Sequence, residues 1–138
     1  MTNTIPASHV DLLEQPNVIV LATVMPDAQP QVNCVWGLYD GSHIRLFTWR
    51  GTQKERNLRE RRKATILVVD PHTPYRYLEI RGTVEEMTSD GAEALADQLT
   101  RRYVNRPTFF GNVEPEEKRN EMELVACRIK PICVVTYG

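Results

Sequence analysis

The run Thr48-Trp49-Arg50-Gly51-Thr52-Gln53-Lys54, continuing to Asn57, is the one stretch whose residue types and spacing suit a specific chemistry. A strand-like segment ends at Thr48, Gly51 frees the backbone to turn, and a helix-like segment starts near Thr52. Backbone N–H groups at a helix start lack intrahelical partners and carry partial positive charge, which suits an anion such as phosphate. Lys54 falls in that first turn, where a cation opposes the helix dipole and so implies a task beyond stability. Thr52 offers a hydroxyl to the same anion. A plainer reading, favoured when the run is taken alone, makes Thr52 an N-cap and Lys54 a solvated charge.

Other chemistries find less support. Seven of the 17 basic residues fall between Arg50 and Lys63, against only Glu55 and Glu60. No aromatic residues interleave with them, as base stacking requires, so a solvated helix face is expected and a nucleic-acid partner is not. Glu85-Glu86 and Glu116-Glu117 are adjacent pairs, not a spaced acid–base couple, and neither Gly-x-Ser-x-Gly nor Gly-x-Gly-x-x-Gly occurs. His9, His43 and His72 show no ligand spacing with one another or with Cys34, Cys127 and Cys133, so no metal site is expected. Three cysteines in distant apolar segments read as free thiols in a reducing compartment. An enzyme built on these residues leans on a bound cofactor for its hard chemistry, and no catalytic side chain can be named.

The elements that must position this run follow from periodicity. Residues 6–15 read as a short helix capped by Ser8, with Asp11 in the capping-box position, and 17–25 as a strand buried on both faces. In 31–38, Val32, Cys34, Trp36 and Leu38 alternate with Gln31, Asn33, Val35 and Gly37, and the polar members of the second set read as solvent-facing. Asp40-Gly41 is a hairpin signal into a strand at 43–49, where Ile44, Leu46 and Thr48 oppose Arg45, Phe47 and Trp49. A short polar helix over 50–60, strands at 64–70 and 75–87, and a long amphipathic helix at 89–106 capped by Ser89 or Asp90 follow. A short acidic helix near Pro115 and a last strand over 123–137, interrupted by Pro131, complete the chain. Six strands with hairpin-length links predict a mainly β protein whose antiparallel sheet closes wholly or partly into a small barrel.

The 138 residues make one domain, 1–138, with 41% hydrophobic and 25% charged residues. A net charge of -1 argues against a general polyanion binder. No apolar run approaches the ~20 residues of a membrane helix, and the N-terminus lacks a signal-peptide pattern, so a soluble cytoplasmic protein with no membrane partner is expected.

The succession LATVMPDAQPQVNCVWGLYDG (21–41), HIRLFTWRGTQKERNLRERRKATILVVD (43–70) and PYRYLEIRGTVEEM (74–87) resembles the pyridoxamine 5'-phosphate oxidase-like split β-barrel family, and within it the small subgroup using flavin or the deazaflavin coenzyme F-420. The resemblance implies a six-stranded antiparallel split β-barrel of the FMN-binding type, paired as a homodimer with cofactor sites at the interface. Carried onto this sequence, it implies that Asn33 and Val35 line the cofactor ring, with contacts from Phe47, Thr48 and Trp49. Past the turn at Gly51, Thr52, Gln53 and Lys54 would bind the phosphate with Asn57 in support, and Tyr75, Arg76 and Tyr77 would close the site from the partner subunit. The Arg- and His-rich segment that binds a pyridoxal substrate does not follow, so that activity is not expected. Arg56, Arg59, Arg61 and Arg62 suit the acidic oligoglutamate tail of coenzyme F-420, which is the expected cofactor, with FMN as the alternative. The implied activity is hydride transfer between the reduced cofactor and a small conjugated or aromatic acceptor. A non-enzymatic flavin- or deazaflavin-binding protein is the second reading.

Overall fold

Alternating aliphatic residues drive the strands, because each buries one face and leaves the other outward. A computed structural model describes residues 2–138. Its strands are β1 (Ile19–Val24), β2 (Pro30–Val35), β3 (Leu38–Tyr39), β4 (Ile44–Trp49), β5 (Lys63–Val69), β6 (Tyr77–Thr88) and β7 (Leu124–Tyr137). The helices are α1 (Asp11–Glu14), α2 (Gln53–Arg61) and α3 (Ala92–Val104), with a 3-10 turn over Glu116–Asn120. All strand pairings are antiparallel, in the order β2-β1-β5-β6-β7-β4-β3.

Seven strands, not the expected six, make this sheet, because the segment read as one strand over 31–38 breaks at Trp36-Gly37. β2 and β3 lie on opposite edges of the sheet although only those two residues separate them, so the sheet curls until its edges meet. Gly37 sits buried at this seam, and a Cβ there would lie 2.7 Å from Ile19 Cδ1. Inside the curl lie Leu21, Ile44, Leu46, Ile66, Leu78, Ile80 and Ile129, each fully buried and each stabilising the fold by roughly 1.5–3 kcal/mol. Leu58 of α2 and Leu12 and Leu13 of α1 close this core. A second core lies outside the curl, where Leu95, Ala96 and Leu99 of α3 meet Phe109, Phe110, Leu124 and Ala126.

The two faces of β2 are the reverse of the expected ones. Val32 is 59% exposed and Cys34 is exposed, whereas Gln31 and Asn33 are half-buried and Val35 packs on the core. Gln31 turns inward because α2 supplies it a hydrogen-bond partner, which no local pattern shows. β7 runs through Pro131 as one strand by bulging: Arg81 faces Cys133 and Gly82 faces Pro131, so Ile132 is extra and 51% exposed. Gly82 is required there, since a Cβ would come within 2.6 Å of Ile129 Cγ2 and 2.8 Å of the Lys130 carbonyl oxygen.

Helix boundaries also shift. α1 is a single short turn with no side-chain cap, because the Ser8 hydroxyl bonds His9 Nδ1 and Asp11 pairs with Arg76. α3 starts after Gly91 at φ +75°, not at Ser89 or Asp90, neither of which caps it. No helix among the described residues is long and apolar enough to cross a membrane.

Candidate functional site

At the start of α2 a tight set of bonds shapes the backbone. Gly51 adopts φ +94°, and Thr52 is the N-cap: its Oγ1 accepts from the Glu55 N–H at 3.2 Å and donates to the Trp49 carbonyl at 3.1 Å. Glu55, fully buried, accepts from the Gly51 N–H at 3.0 Å, so Thr52-Gln53-Lys54-Glu55 has capping-box spacing with its carboxylate reaching the residue before the N-cap. Burial opposes ionisation of Glu55, but the Arg59 Nε bond at 2.7 Å and the Gly51 N–H hold its carboxyl below the usual range. The Thr-x-x-Glu spacing is the sequence signal that identifies this buried carboxylate, which the sequence reading missed.

Two helix-start N–H groups, those of Gln53 and Lys54, keep no protein partner among the described residues. The Lys54 side chain is half-buried, has no carboxylate within 4.0 Å among the described residues, and is pushed below the usual lysine pKa by burial. Hence the structure joins the two readings of this run: Thr52 is the N-cap, and Lys54 is not a solvated charge.

The Gln53 side chain is spent elsewhere. Its Nε2 donates to Asn57 Oδ1 at 2.8 Å and its Oε1 accepts from Arg56 at 2.8 Å, which leaves the backbone N–H as its contribution to an anion. Asn57 is fully buried; its Nδ2 donates to Thr23 Oγ1 at 3.1 Å and Gln31 Oε1 at 3.2 Å, and its Oδ1 also accepts from Arg61 at 2.8 Å. This network ties the cradle to β1 and β2 with every polar valence of Asn57 used.

Beside the cradle opens a cleft of about 230 Å³ lined by Cys34, Val35, Trp36, Phe47, Trp49 and Lys54. Phe47 is held edge-on by Phe109 at 5.1 Å, and Trp36 stacks on Tyr103 at 5.5 Å. Thus Val35, Phe47, Trp49 and Lys54 come together, and Gly51, Thr52, Gln53 and Asn57 build the adjoining backbone. Cys34 and Trp36 join them, missed because their face was taken for the core side of β2. Thr48 is 1% exposed and points into the barrel, 3.4 Å from Thr52 Oγ1, and Asn33 is half-buried outside the cleft lining. A slightly larger depression of about 260 Å³ on the outer face of β5 and β6, lined by Lys63, Arg81 and Ile132 among others, has no aromatic wall and no helix start, and Arg81 is paired with Glu79.

Tyr75, Arg76 and Tyr77 lie elsewhere. Tyr77 pairs with Tyr137 at one end of β7, whereas Trp49 pairs with Leu124 at the other, so within one chain they do not reach the cleft. Tyr75 is 82% exposed, Tyr77 stacks on Tyr137, and Arg76 is bound to Asp11, Asp70 and the Ser8 carbonyl. The proposed tail-binding arginines are also largely committed: Arg59 to Glu55, Arg61 to Asn57 and the Val24 carbonyl, and Arg56 to Gln53 and the Gly51 carbonyl. Of these four, Arg62, exposed at the αL end of α2, is the one whose guanidinium has no hydrogen bond or ion pair among the described residues.

The donor set fits a phosphate ester joined to a flat aromatic ring: two free N–H groups and one unpaired ammonium at the rim of an aromatic cleft. The family described as pyridoxamine 5'-phosphate oxidase matches residues 5–132. No curated protein matches the sequence. Among solved structures, one named as an F-420 reductase is 36% identical, covers 95% of this chain and 98% of its own, and has a TM-score of 0.81. A conserved hypothetical protein from Mycobacterium tuberculosis is 22% identical with a TM-score of 0.75, covering 100% of this chain and 88% of its own. The heme storage protein HutZ of Vibrio cholerae is 15% identical with a TM-score of 0.67, covering 93% and 91%; these last two share the fold.

Proposed function

This chain belongs to the pyridoxamine 5'-phosphate oxidase family, and on that premise we propose that it is an oxidoreductase using coenzyme F-420, with FMN as the alternative cofactor. The observation that carries the reading is Lys54, a half-buried cation without a counter-ion among the described residues, at the mouth of an aromatic cleft. The 36% identity to a structure named as an F-420 reductase supports the deazaflavin over FMN, a preference the committed arginines no longer carry. Bound there, the ring supplies the hydride for a small conjugated or aromatic acceptor. The protein's part is positional: the Gln53 and Lys54 N–H groups and the Lys54 ammonium hold the phosphate, Trp36, Phe47 and Trp49 flank the ring, and the apolar walls keep water from it. Among the described residues no carboxylate or histidine lines the cleft, which favours a second reading, a cofactor-binding protein without turnover.

Fluorescence titration of the apoprotein with F-420 and FMN tests the cofactor, with tighter F-420 binding expected; tighter FMN binding overturns the choice. Turnover of quinones and enones by the reduced complex separates enzyme from binder. Thiol footprinting gives an independent check: the cofactor should shield exposed Cys34 from alkylation, whereas Cys127, buried and pushed up to about 12, stays unmodified throughout. Alkylation of Cys34 at the same rate with and without cofactor places the ring elsewhere.

A homodimer belongs to this proposal. The outer sheet face presents Val32 at 59%, Ile132 at 51% and Tyr137 at 61% exposure, with Lys63 and the Arg81–Glu79 pair between them, a mixed surface that a second copy would cover. Only such a copy brings Tyr75 and Tyr77 near the cleft. Light scattering on the purified protein should give twice 15.9 kDa, and a monomer at micromolar concentration removes the dimer and the role of both tyrosines.

A further inference from the structure

We infer that Tyr103, which does not line the cleft, is the positioning residue that sets its aromatic wall; the inference rests on the cofactor reading above. Tyr103 stands in the last turn of α3, and its hydroxyl bonds both the seam residue Gly37 and the segment that enters β1. It accepts from the Gly37 N–H at 3.3 Å and donates to the Asn17 carbonyl at 2.7 Å, with the Gly37 carbonyl at 3.1 Å as an alternative acceptor. Asn17 precedes β1 and Gly37 lies where the chain crosses from edge strand β2 to edge strand β3, so one hydroxyl ties that crossing to the entry of β1. The neighbouring Arg102 fixes the same helix end to the carbonyls of Leu13 and Gln15, at 2.7 and 2.8 Å.

The Tyr103 ring then orients Trp36, stacked on it with a 9° interplanar angle. Trp36 is the residue at which the chain leaves β2, so ladder hydrogen bonds do not hold it. Phe47 differs, being fixed on β4 and packed against Phe109. Both Trp36 and Phe47 pack on the α3 core, but Phe47 is also fixed by its strand, so Trp36 is the wall residue that leans on α3 without a strand to hold it, and its stacking partner there is Tyr103.

The test uses the full chain in a Trp49→Phe background, where Trp36 is the sole indole. Tyr103→Phe keeps the stack and removes the bridging hydroxyl, and Tyr103→Leu removes both. In the apoprotein, near-ultraviolet circular dichroism and emission anisotropy of Trp36 should fall in Phe and further in Leu. In the unmodified background, F-420 affinity should drop about three- to tenfold for Phe and more for Leu, by the same factor at low and high salt. Loss through Lys54→Met should instead shrink as salt rises. Unchanged Trp36 signals overturn the inference without touching the cofactor reading, as do altered signals with unchanged affinity. Failure of the parent protein to bind F-420 or FMN overturns both. Should Tyr103→Leu fail to fold, Tyr103→Phe alone decides between these outcomes.

Discussion

Arg76 and Lys54 are both long cations held partly buried at opposite ends of the sheet, and their surroundings could hardly differ more. Arg76 donates to Asp11 at 2.6 Å, to Asp70 at 2.9 Å and to the Ser8 carbonyl at 2.6 Å, pinning the N-terminal segment to the start of β6. Lys54 shares its cleft with aromatic rings and has no carboxylate within 4.0 Å among the described residues. A buried cation answered from within its own chain serves the fold, whereas one left unanswered opposes the fold until something outside it binds. Both positions were named as ligand contacts on resemblance, and within one chain the surroundings support that role for Lys54 alone.

The contrast can be broken most directly at Lys54. Lys54→Met should weaken F-420 binding by about 1.5–3 kcal/mol, the scale of a hydrogen bond to a charged group, measured by fluorescence titration. The apoprotein should meanwhile be at least as stable as the parent. Burial lowers the folded-state pKa of Lys54 below 10.5, so the penalty is full at neutral pH and fades as pH rises through the folded value towards 10.5. The variant's advantage in melting temperature should therefore narrow in alkali, and a variant less stable than its parent at pH 7 would remove the claim that Lys54 opposes the fold.

Asn57→Ala sharpens the comparison from the other side. It strands Gln31, Gln53 and Arg61 in a buried network and should cost about 1–3 kcal/mol of stability in urea unfolding. A smaller effect on affinity is expected, because Gln53 offers the cofactor its backbone N–H. Equal losses in stability and affinity would make Asn57 a ligand in its own right.

Arg76→Met should lower stability and leave F-420 affinity unchanged. The bonds from Arg76 hold the Asp11 carboxyl below its ordinary 3.8, and the His72 and Thr73 N–H groups with Arg76 do the same for Asp70. Folded values below the unfolded one mean that this stabilisation is present above about pH 3.8 and lost as pH falls through the folded values. Melting curves of parent and variant should differ at pH 6 and converge in acid. A drop in cofactor affinity would return Arg76 to a partner subunit's site.

The strands of the inner barrel could be read from the chain because alternation of Ile44, Leu46 and Thr48 against Arg45, Phe47 and Trp49 is a local signal. Alternation from Val32 to Leu38 is equally regular, and it hid the break at Trp36-Gly37, which arises from where the two sheet edges lie and not from any local preference. Gln31 faces inward for a similar reason, since its partner Asn57 stands 26 residues away. In the cradle, Gly51, Thr52 and Lys54 declared themselves by spacing, and Glu55 was equally visible in Thr-x-x-Glu. Cys34 and Trp36 became visible only once the faces of β2 were known.

The order of synthesis runs against the order of the sheet. Among the described residues β4 pairs with β7 and otherwise with two-residue β3 alone, and β7 is also the longest neighbour of β6. Until Leu124–Tyr137 has emerged from the ribosome, the β3–β4 hairpin has nothing to dock on and the aliphatic interior stays open. Nascent chains halted before residue 124 should then be cut readily by protease, and chains extended past residue 137 should resist.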